Sequence, residues 1–503
     1  MRLSDQPDMM KGMNNSRLDQ PHEWIGRWWR PDRPEAVSAG VLTFDPARGI
    51  ELRLIGGWPR LATTEINAGV TAIHNEVERW PVVHGRCGTA ELTLIEPWVS
   101  KSRGSWGEDP EEMTLAALTL LDGCHLDAPD SAVFVGARVS VENLTGWDQR
   151  GQAELNLGRP KQPSKGDGER DVLRTVTAVI GDVEAKLHSS SGHISTQTRR
   201  DGRSETRRTE ASVSFSSDTP RPMEDWFSMI DGVSDLVSLS TMSACADLSL
   251  DLVLPAAPAR FREGHPLADH PRAVHVYQEQ VVQPDADGSA ANWNDFVLSE
   301  ADLPWGQLFP AWMEVRERFS AARSMILGLR YITRGYLDSR VVTAVGAAEA
   351  FHRALESPPP IPPEEFATLR ALLVAAAPTD RRGWVNDRVQ YNEPSLKQRL
   401  DELASRPGPF MTNLVPDPVL WARIAARSRN ELSHRGHAGK DYDQLYAVVE
   451  VTAAVVVLNL LREIGVPANR LEMALSQHSE FKRAAELARM HFTKPSSVQI
   501  NEG

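Results

Sequence analysis

Cysteine is scarce in this 503-residue chain: Cys87, Cys124 and Cys245 are odd in number, far apart and without a CxxC pair. Neither a disulfide framework nor a sulfur-ligated zinc or redox centre is encoded, and a reducing cytoplasm is the expected compartment. Positive charge is also short. Lys and Arg number 55 against 68 Asp and Glu, a formal net charge of -13, which argues against a protein that coats nucleic acid nonspecifically. Any RNA contact is therefore expected to be local. The sequence offers no phosphate-binding glycine loop, no metal-ligand cluster and no paired carboxylates of a glycosidase. It also lacks an unbroken apolar run able to cross a bilayer. The most apolar stretch, 448–461, is interrupted by Glu450 and Asn459 and reads as a buried helix, so no membrane partner is expected. Residues 1–21 have no apolar signal-peptide core and read as a disordered leader.

What is present divides into two halves. From 24 to 254, short alternating runs of Val, Ile, Leu and Thr are punctuated by Gly, Pro and Asp, an antiparallel β pattern. Strands are expected at 38–44, 50–55, 90–95, 134–141, 174–180, 185–189 and 211–215, with a hairpin through DPARG between the first two. Within this half, Trp226, Ile230, Val233 and Val237 recur at helical spacing and predict a helix over 222–239. The stretch 191–210 carries Arg199, Arg200, Arg203, Arg207 and Arg208. Its interleaved acids and lack of aromatics favour a solvated hairpin over an RNA contact. Tryptophans 24, 28, 29, 58, 80, 98, 106 and 147 could form a sugar-binding platform, but their strand spacing among apolar neighbours favours a core. Loops are expected at 161–170 and 283–294.

From Trp305 the period becomes helical. Phe309, Trp312, Val315, Phe319, Met325, Leu329 and Ile332 recur at three- to four-residue intervals, and a second helix covers 341–355. After SPPPIPP, Pro363 opens a third through 373, with Glu364 and Glu365 suited to its first turn. Further helices are expected at 395–404, 418–433, 443–464 and 469–490. The architecture is α+β multidomain: a sandwich-like β-rich region over 22–290 and an all-α bundle over 300–495.

The late hexad Arg429-Asn430-Glu431-Leu432-Ser433-His434 concentrates the chemistry. Arginine stabilises charge on a phosphate, histidine moves protons near neutral pH, and asparagine one turn before the histidine can orient either; no metal is required. Spacing alone is weak, because an Arg followed five positions later by His also occurs at Arg17/His22, Arg79/His84 and Arg260/His265. The bland reading is a surface helix ending in a capping histidine. At about 100° per residue, Asn430 and His434 share a helix face, whereas Arg429 lies roughly 140° from His434. Joint action needs either an adjustment at the helix end or a second copy of the chain.

RNELSH, set between an apolar helix and a long apolar helix, resembles the RNxxxH signature of HEPN domains. VVTAVGAAEAFHRAL looks like the preceding helix in the HEPN region of ApeA-type anti-phage proteins, and SLKQRLDEL is similar to a recurring segment between them. GRWWRPDRPEAVSAGVLTFDPARGIELRLIGGW and FVGARVSVENLTGW resemble the ApeA N-terminal domain. The resemblance covers most of 22–465 and implies Arg429 and His434 as catalytic residues with Asn430 in support. The RNA 2′-hydroxyl would attack its adjacent phosphate, leaving a 2′,3′-cyclic phosphate and a 5′-hydroxyl without a cofactor. Glu349 is a candidate auxiliary, its blander role being an arginine partner in the bundle; His437 is a loop histidine with a lesser claim to substrate. Such ribonucleases usually pair, which implies a homodimer through the helical region acting on RNA rather than DNA. The β half would restrain the nuclease until a phage-derived trigger arrives.

Three functions stay open: an abortive-infection endoribonuclease, a HEPN protein that binds RNA or a partner without cutting, and a β-sandwich carbohydrate-binding protein with a helical dimerisation module.

Overall fold

The computed structural model describes residues 17–58, 63–67, 70–73, 79–103, 110–148, 173–258, 268–283, 290–292, 295–332, 334–435 and 441–493. Most of the expected leader, the loop 161–170 and most of the linker 283–294 lie outside them. The chain divides into two units. The first comprises Met1–Ser238, Cys245–Ala291 and Pro304–Pro310, and the second Leu239–Ala244, Asn292–Leu303 and Ala311–Gly503.

In the first unit, 14 strands join one antiparallel sheet, and Thr63–Asn67 pairs with Val70–Ile73 as a separate hairpin. All seven expected strands are present. Ala90–Ile95 and Phe134–Val141 have the expected bounds, while the others extend into longer strands such as Arg33–Asp45 and Gly49–Ile55. The last two pair through the DPARG turn, where Asp45 faces Gly49, whose positive φ suits glycine. The sandwich-like character takes the form of one continuous sheet whose central strands are covered on both faces, as in Val82–Cys87 and Asp247–Leu254. The stretch 191–210 forms the paired ends of Val183–Arg199 and Gly202–Arg221, the hairpin its composition suggests.

Trp28, Trp58, Trp80 and Trp147 are buried and Trp24, Trp29 and Trp98 half-buried, whereas Trp106 lies outside the described residues. Large rings thus serve the core. Trp28 shows how the sequence accommodates one: its register partner is Gly85, where a Cβ would collide with the indole. Among the described residues, two helices accompany this unit's sheet, α1 (Leu144–Trp147) and α2 (Met223–Thr241). Trp226, Ile230, Val233 and Val237 of α2 are buried, and the Trp226 indole donates to the Phe134 carbonyl at 3.2 Å.

The remaining helices are α3 (Trp305–Arg318), divided between the units at Pro310, α4 (Ser320–Tyr331), α5 (Leu337–Ala354), α6 (Pro363–Ala376), α7 (Arg382–Arg388), α8 (Leu396–Ser405), α9 (Pro418–Arg435), α10 (Tyr442–Ile464), α11 (Ala468–Gln477) and α12 (Ser479–His491). α10 is the centre of the second unit and packs against α5 and α12, while α9 packs on α8 and α5. It is long and apolar enough to cross a membrane, but 89% of its apolar window is buried inside the protein. Asn459, which interrupts its run, donates to the Leu403 and Val455 carbonyls, so its polar group is satisfied in the core.

Two expected helices are broken. The periodic stretch from Phe309 to Ile332 divides at Phe319, whose backbone leaves helical geometry. The expected helix 469–490 divides at His478, which is extended (φ -69°, ψ 132°) and caps α12 by accepting from the Glu480 amide. Its other ring nitrogen contacts the Asp295 carbonyl, a tertiary anchor that favours the break. α6 forms where Pro363 predicts it, with Pro at the helix start and two acids in its first turn, although none of its residues is buried. Local propensity favours it, and hydrogen bonds from Arg370 to Asn386 and from Arg382 to the Ala375 and Ala377 carbonyls tie it to the following helix.

Candidate active site

α9 is built as a two-faced helix. Trp421, Ala422, Ala425, Ser428 and Leu432 are buried, at the three- and four-residue spacing that faces one side. Arg423, Arg427, Asn430 and His434 follow the same spacing on the exposed side. Arg429 sits at the margin between them, its side chain 31% exposed. Across from it, α5 buries Val341, Ala344, Val345, Ala348 and Phe351, and Phe351 stacks on Phe319 with ring centroids 4.3 Å apart. That packing fixes the rotation of α5 and brings Glu349 to its own margin, facing Arg429.

The two margins meet in a defined contact. Arg429 Nη2 donates to Glu349 Oε2 at 3.2 Å, and Arg429 Nη1 donates to Asn430 Oδ1 at 3.1 Å. Arginine has five donors in a rigid fork, so with respect to the described residues Nε and the remaining N–H groups stay available to a phosphate. Three of the expected residues, Arg429, Asn430 and Glu349, are thus brought together.

His434 is not part of that contact. It is exposed, and no hydrogen bond or ion pair reaches it from a described residue. Because α9 remains helical through Arg435, no adjustment at the helix end swings His434 toward Arg429, and the two stay about 140° apart. Asn430 and His434, one turn apart, share the exposed face. His437 lies outside the described residues.

Behind Glu349 runs a chain of charges that sequence reasoning missed. Glu349 Oε1 accepts from Arg353 Nη2 at 3.2 Å, and Arg353 pairs with Glu393 at 3.3 Å. Glu393 accepts from Arg399 Nη2 at 2.7 Å. Arg399 is 5% exposed and also donates its Nε to the Pro394 carbonyl. Its Nη1 stands 3.3 Å from His352 Nδ1, and His352 Nε2 stands 2.6 Å from Glu402 Oε2. A guanidinium can only donate, so the histidine accepts at Nδ1 and carries its proton on Nε2, pointing at Glu402. The network ties Arg429 to a buried point. Its signal in the sequence was SLKQRLDEL, which supplies Arg399 and Glu402 and opens with a capping box between Ser395 and Gln398.

Comparison with known families gives two matches. Residues 23–252 match the family model described as ApeA N-terminal domain 1, and residues 342–470 match the one described as Apea-like HEPN. Glu349, His352, Arg353, Arg399, Arg429, Asn430 and His434 all fall within the second. No curated protein and no solved structure matches the chain.

Proposed function

We propose that this chain, which joins an ApeA N-terminal domain 1 to an Apea-like HEPN domain, is a metal-independent endoribonuclease acting as an abortive-infection effector against phage. The observation that carries the reading is the Arg429 guanidinium, oriented by Glu349 and Asn430 with donors to spare, on the helix that also displays His434. In the proposed reaction the 2′-hydroxyl of RNA attacks the adjacent phosphorus as the bond to the 5′-oxygen breaks. The products are a 2′,3′-cyclic phosphate and a 5′-hydroxyl. His434 moves the proton, Arg429 stabilises the anionic phosphorane, and Asn430 orients. Induced expression of wild type and His434→Ala, followed by sequencing of RNA ends, tests this. New 5′-hydroxyl ends with wild type alone are expected; identical end profiles would refute cleavage.

The helical geometry supports a homodimer in which Arg429 of one protomer works with His434 of the other. Co-expression of Arg429→Ala with His434→Ala chains then forms mixed dimers that keep one complete site. About one quarter of wild-type activity is expected from random pairing, while each variant alone is inactive. Absence of complementation would refute the shared site.

The exposure of His434 without a described partner is what favours the second reading, a HEPN protein that binds RNA or a partner without cutting. Unchanged phage protection in both variants would select it.

A further inference from the structure

The helical unit holds a second charged site on the other end of α5. A cavity of about 630 Å³ is lined by Arg330 of α4, Arg340 of α5, Tyr446 and Glu450 of α10, and Glu480 and Arg483 of α12. Its volume is that of a small-molecule site. Arg340 and Glu349 are nine positions apart on α5, about 13 Å along the axis, so the cavity is separate from the candidate active site.

The charges in this cavity do not balance. Three guanidinium groups face two carboxylates. Arg330 and Arg340 side chains are only 15% and 19% exposed and Glu450 only 5%. A partly desolvated surplus cation is costly unless a counter-charge completes it.

The donors are likewise underused. Arg483 Nη2 donates to Glu450 and to Glu480, each at 3.0 Å, and Arg330 Nη1 donates to Glu480 at 3.2 Å. Arg340 Nη1 is held by the Leu329 and Ile332 carbonyls at 3.3 Å. Arg330 and Arg340 stand 3.8 and 3.9 Å from Glu450, beyond hydrogen-bond reach. Among the described residues, each guanidinium therefore hydrogen-bonds through one nitrogen and has further N–H groups left over.

From these observations we propose that the cavity binds a small phosphate-bearing molecule of nucleotide size. The guanidinium groups come from three different helices and so approach from different directions. That suits the several terminal oxygens of a tetrahedral phosphate better than the two of a planar carboxylate. The half-buried Tyr446 ring, with Arg483 5.8 Å from its centroid, supplies an aromatic wall for the organic part.

Titration calorimetry on the full chain tests this, with ATP, inorganic phosphate, adenosine and a short RNA oligonucleotide as probes at fixed ionic strength. Saturable binding of ATP, weaker binding of phosphate and none of adenosine are expected. Arg483→Gln, at the most exposed of the three arginines, should weaken ATP at least tenfold. Arg340→Gln combined with Glu450→Gln removes one charge of each sign, so no carboxylate is stranded, and should abolish binding in a folded protein. Arg429→Ala should bind as wild type does. The proposal is overturned if neither ATP nor phosphate binds the folded wild type, if both cavity variants bind ATP unchanged, or if only an RNA oligonucleotide binds.

Discussion

Glu349→Gln is the substitution that best separates positioning from chemistry at the candidate site. Glu349 reaches Arg429 Nη2 at 3.2 Å with its side chain 20% exposed, against 31% for Arg429. A hydrogen bond between charged partners contributes about 1.5–3 kcal/mol when sheltered. With this much solvent, screening reduces it to about 1 kcal/mol. Glutamine keeps an acceptor but not the charge, so Arg429 should leave its working rotamer more often, lowering kcat about fivefold with KM unchanged. Arg429→Ala removes the cation itself and should cost about 100-fold or more. In Arg429→Ala the glutamate has nothing left to orient, so adding Glu349→Gln should cost little beyond the arginine change, a coupling of about 1 kcal/mol. Purified full-length chains, assayed by the initial rate of 5′-hydroxyl end formation in total RNA, give all four rates. Multiplicative effects in the double variant would refute the positioning role, as would a rise in KM at constant kcat.

Two further outcomes follow from buried charge. Asp247, buried beside Asp231 and Asp235, has its carboxyl pushed up to about 7 by desolvation. The folded state then holds a proton that the unfolded state releases near 3.8, so stability falls as pH rises from about 4 to about 7 and is level above. The span corresponds to about 4 kcal/mol, and Asp247→Asn, which keeps an acceptor for Ser234, should flatten that part of the difference curve. His188, held down to about 4 by burial, contributes the opposite slope but is common to both proteins; urea titrations at pH 5 and 8 that move in parallel would refute the assignment. Arg399→Lys keeps a charge but cannot span Pro394, Glu393 and His352 together. It should destabilise the chain by about 2 kcal/mol and slow RNA cleavage; an unchanged melting curve would contradict it.

The elements most legible in the sequence are those whose side-chain period and local punctuation agree. Phe134–Val141 alternates cleanly, and DPARG places a turn where Asp45 meets Gly49. α6 was legible from Pro363 and its acids alone, without a buried face. The break at His478 was not legible, because Leu471, Ala474 and Leu475 before it and Phe481, Ala484, Ala485 and Ala488 after it continue apolar helical spacing. A contact with Asp295, 183 positions away, accompanies the break, and periodicity carries no record of it. The same limit applies to the site. Arg429 and Asn430 are adjacent in the chain, but the approach of Glu349 depends on how Phe319 and Phe351 set the rotation of α5. The path from Glu349 through Arg353, Glu393 and Arg399 to His352 joins two segments about 40 positions apart in the chain, 349–353 and 393–399, so no local pattern could contain it.

Under the proposed function, the acidic balance of the chain would be reconciled with an RNA-facing role on α9. Arg423 and Arg427 stand on its exposed face with Asn430 and His434, and Arg429 lies at the margin. Arg427 is partly compensated by Glu431 at 2.9 Å and Arg429 by Glu349 at 3.2 Å. At physiological ionic strength charges beyond about 8 Å are largely screened. A phosphate at this face would therefore respond to the arginine row rather than to the net charge of -13. The same face offers too few cations to hold RNA of any sequence tightly. Selection of substrate then falls to contacts around the row, and a second copy of α9 meeting the first would double the cations while uniting one protomer's Arg429 with the other's His434.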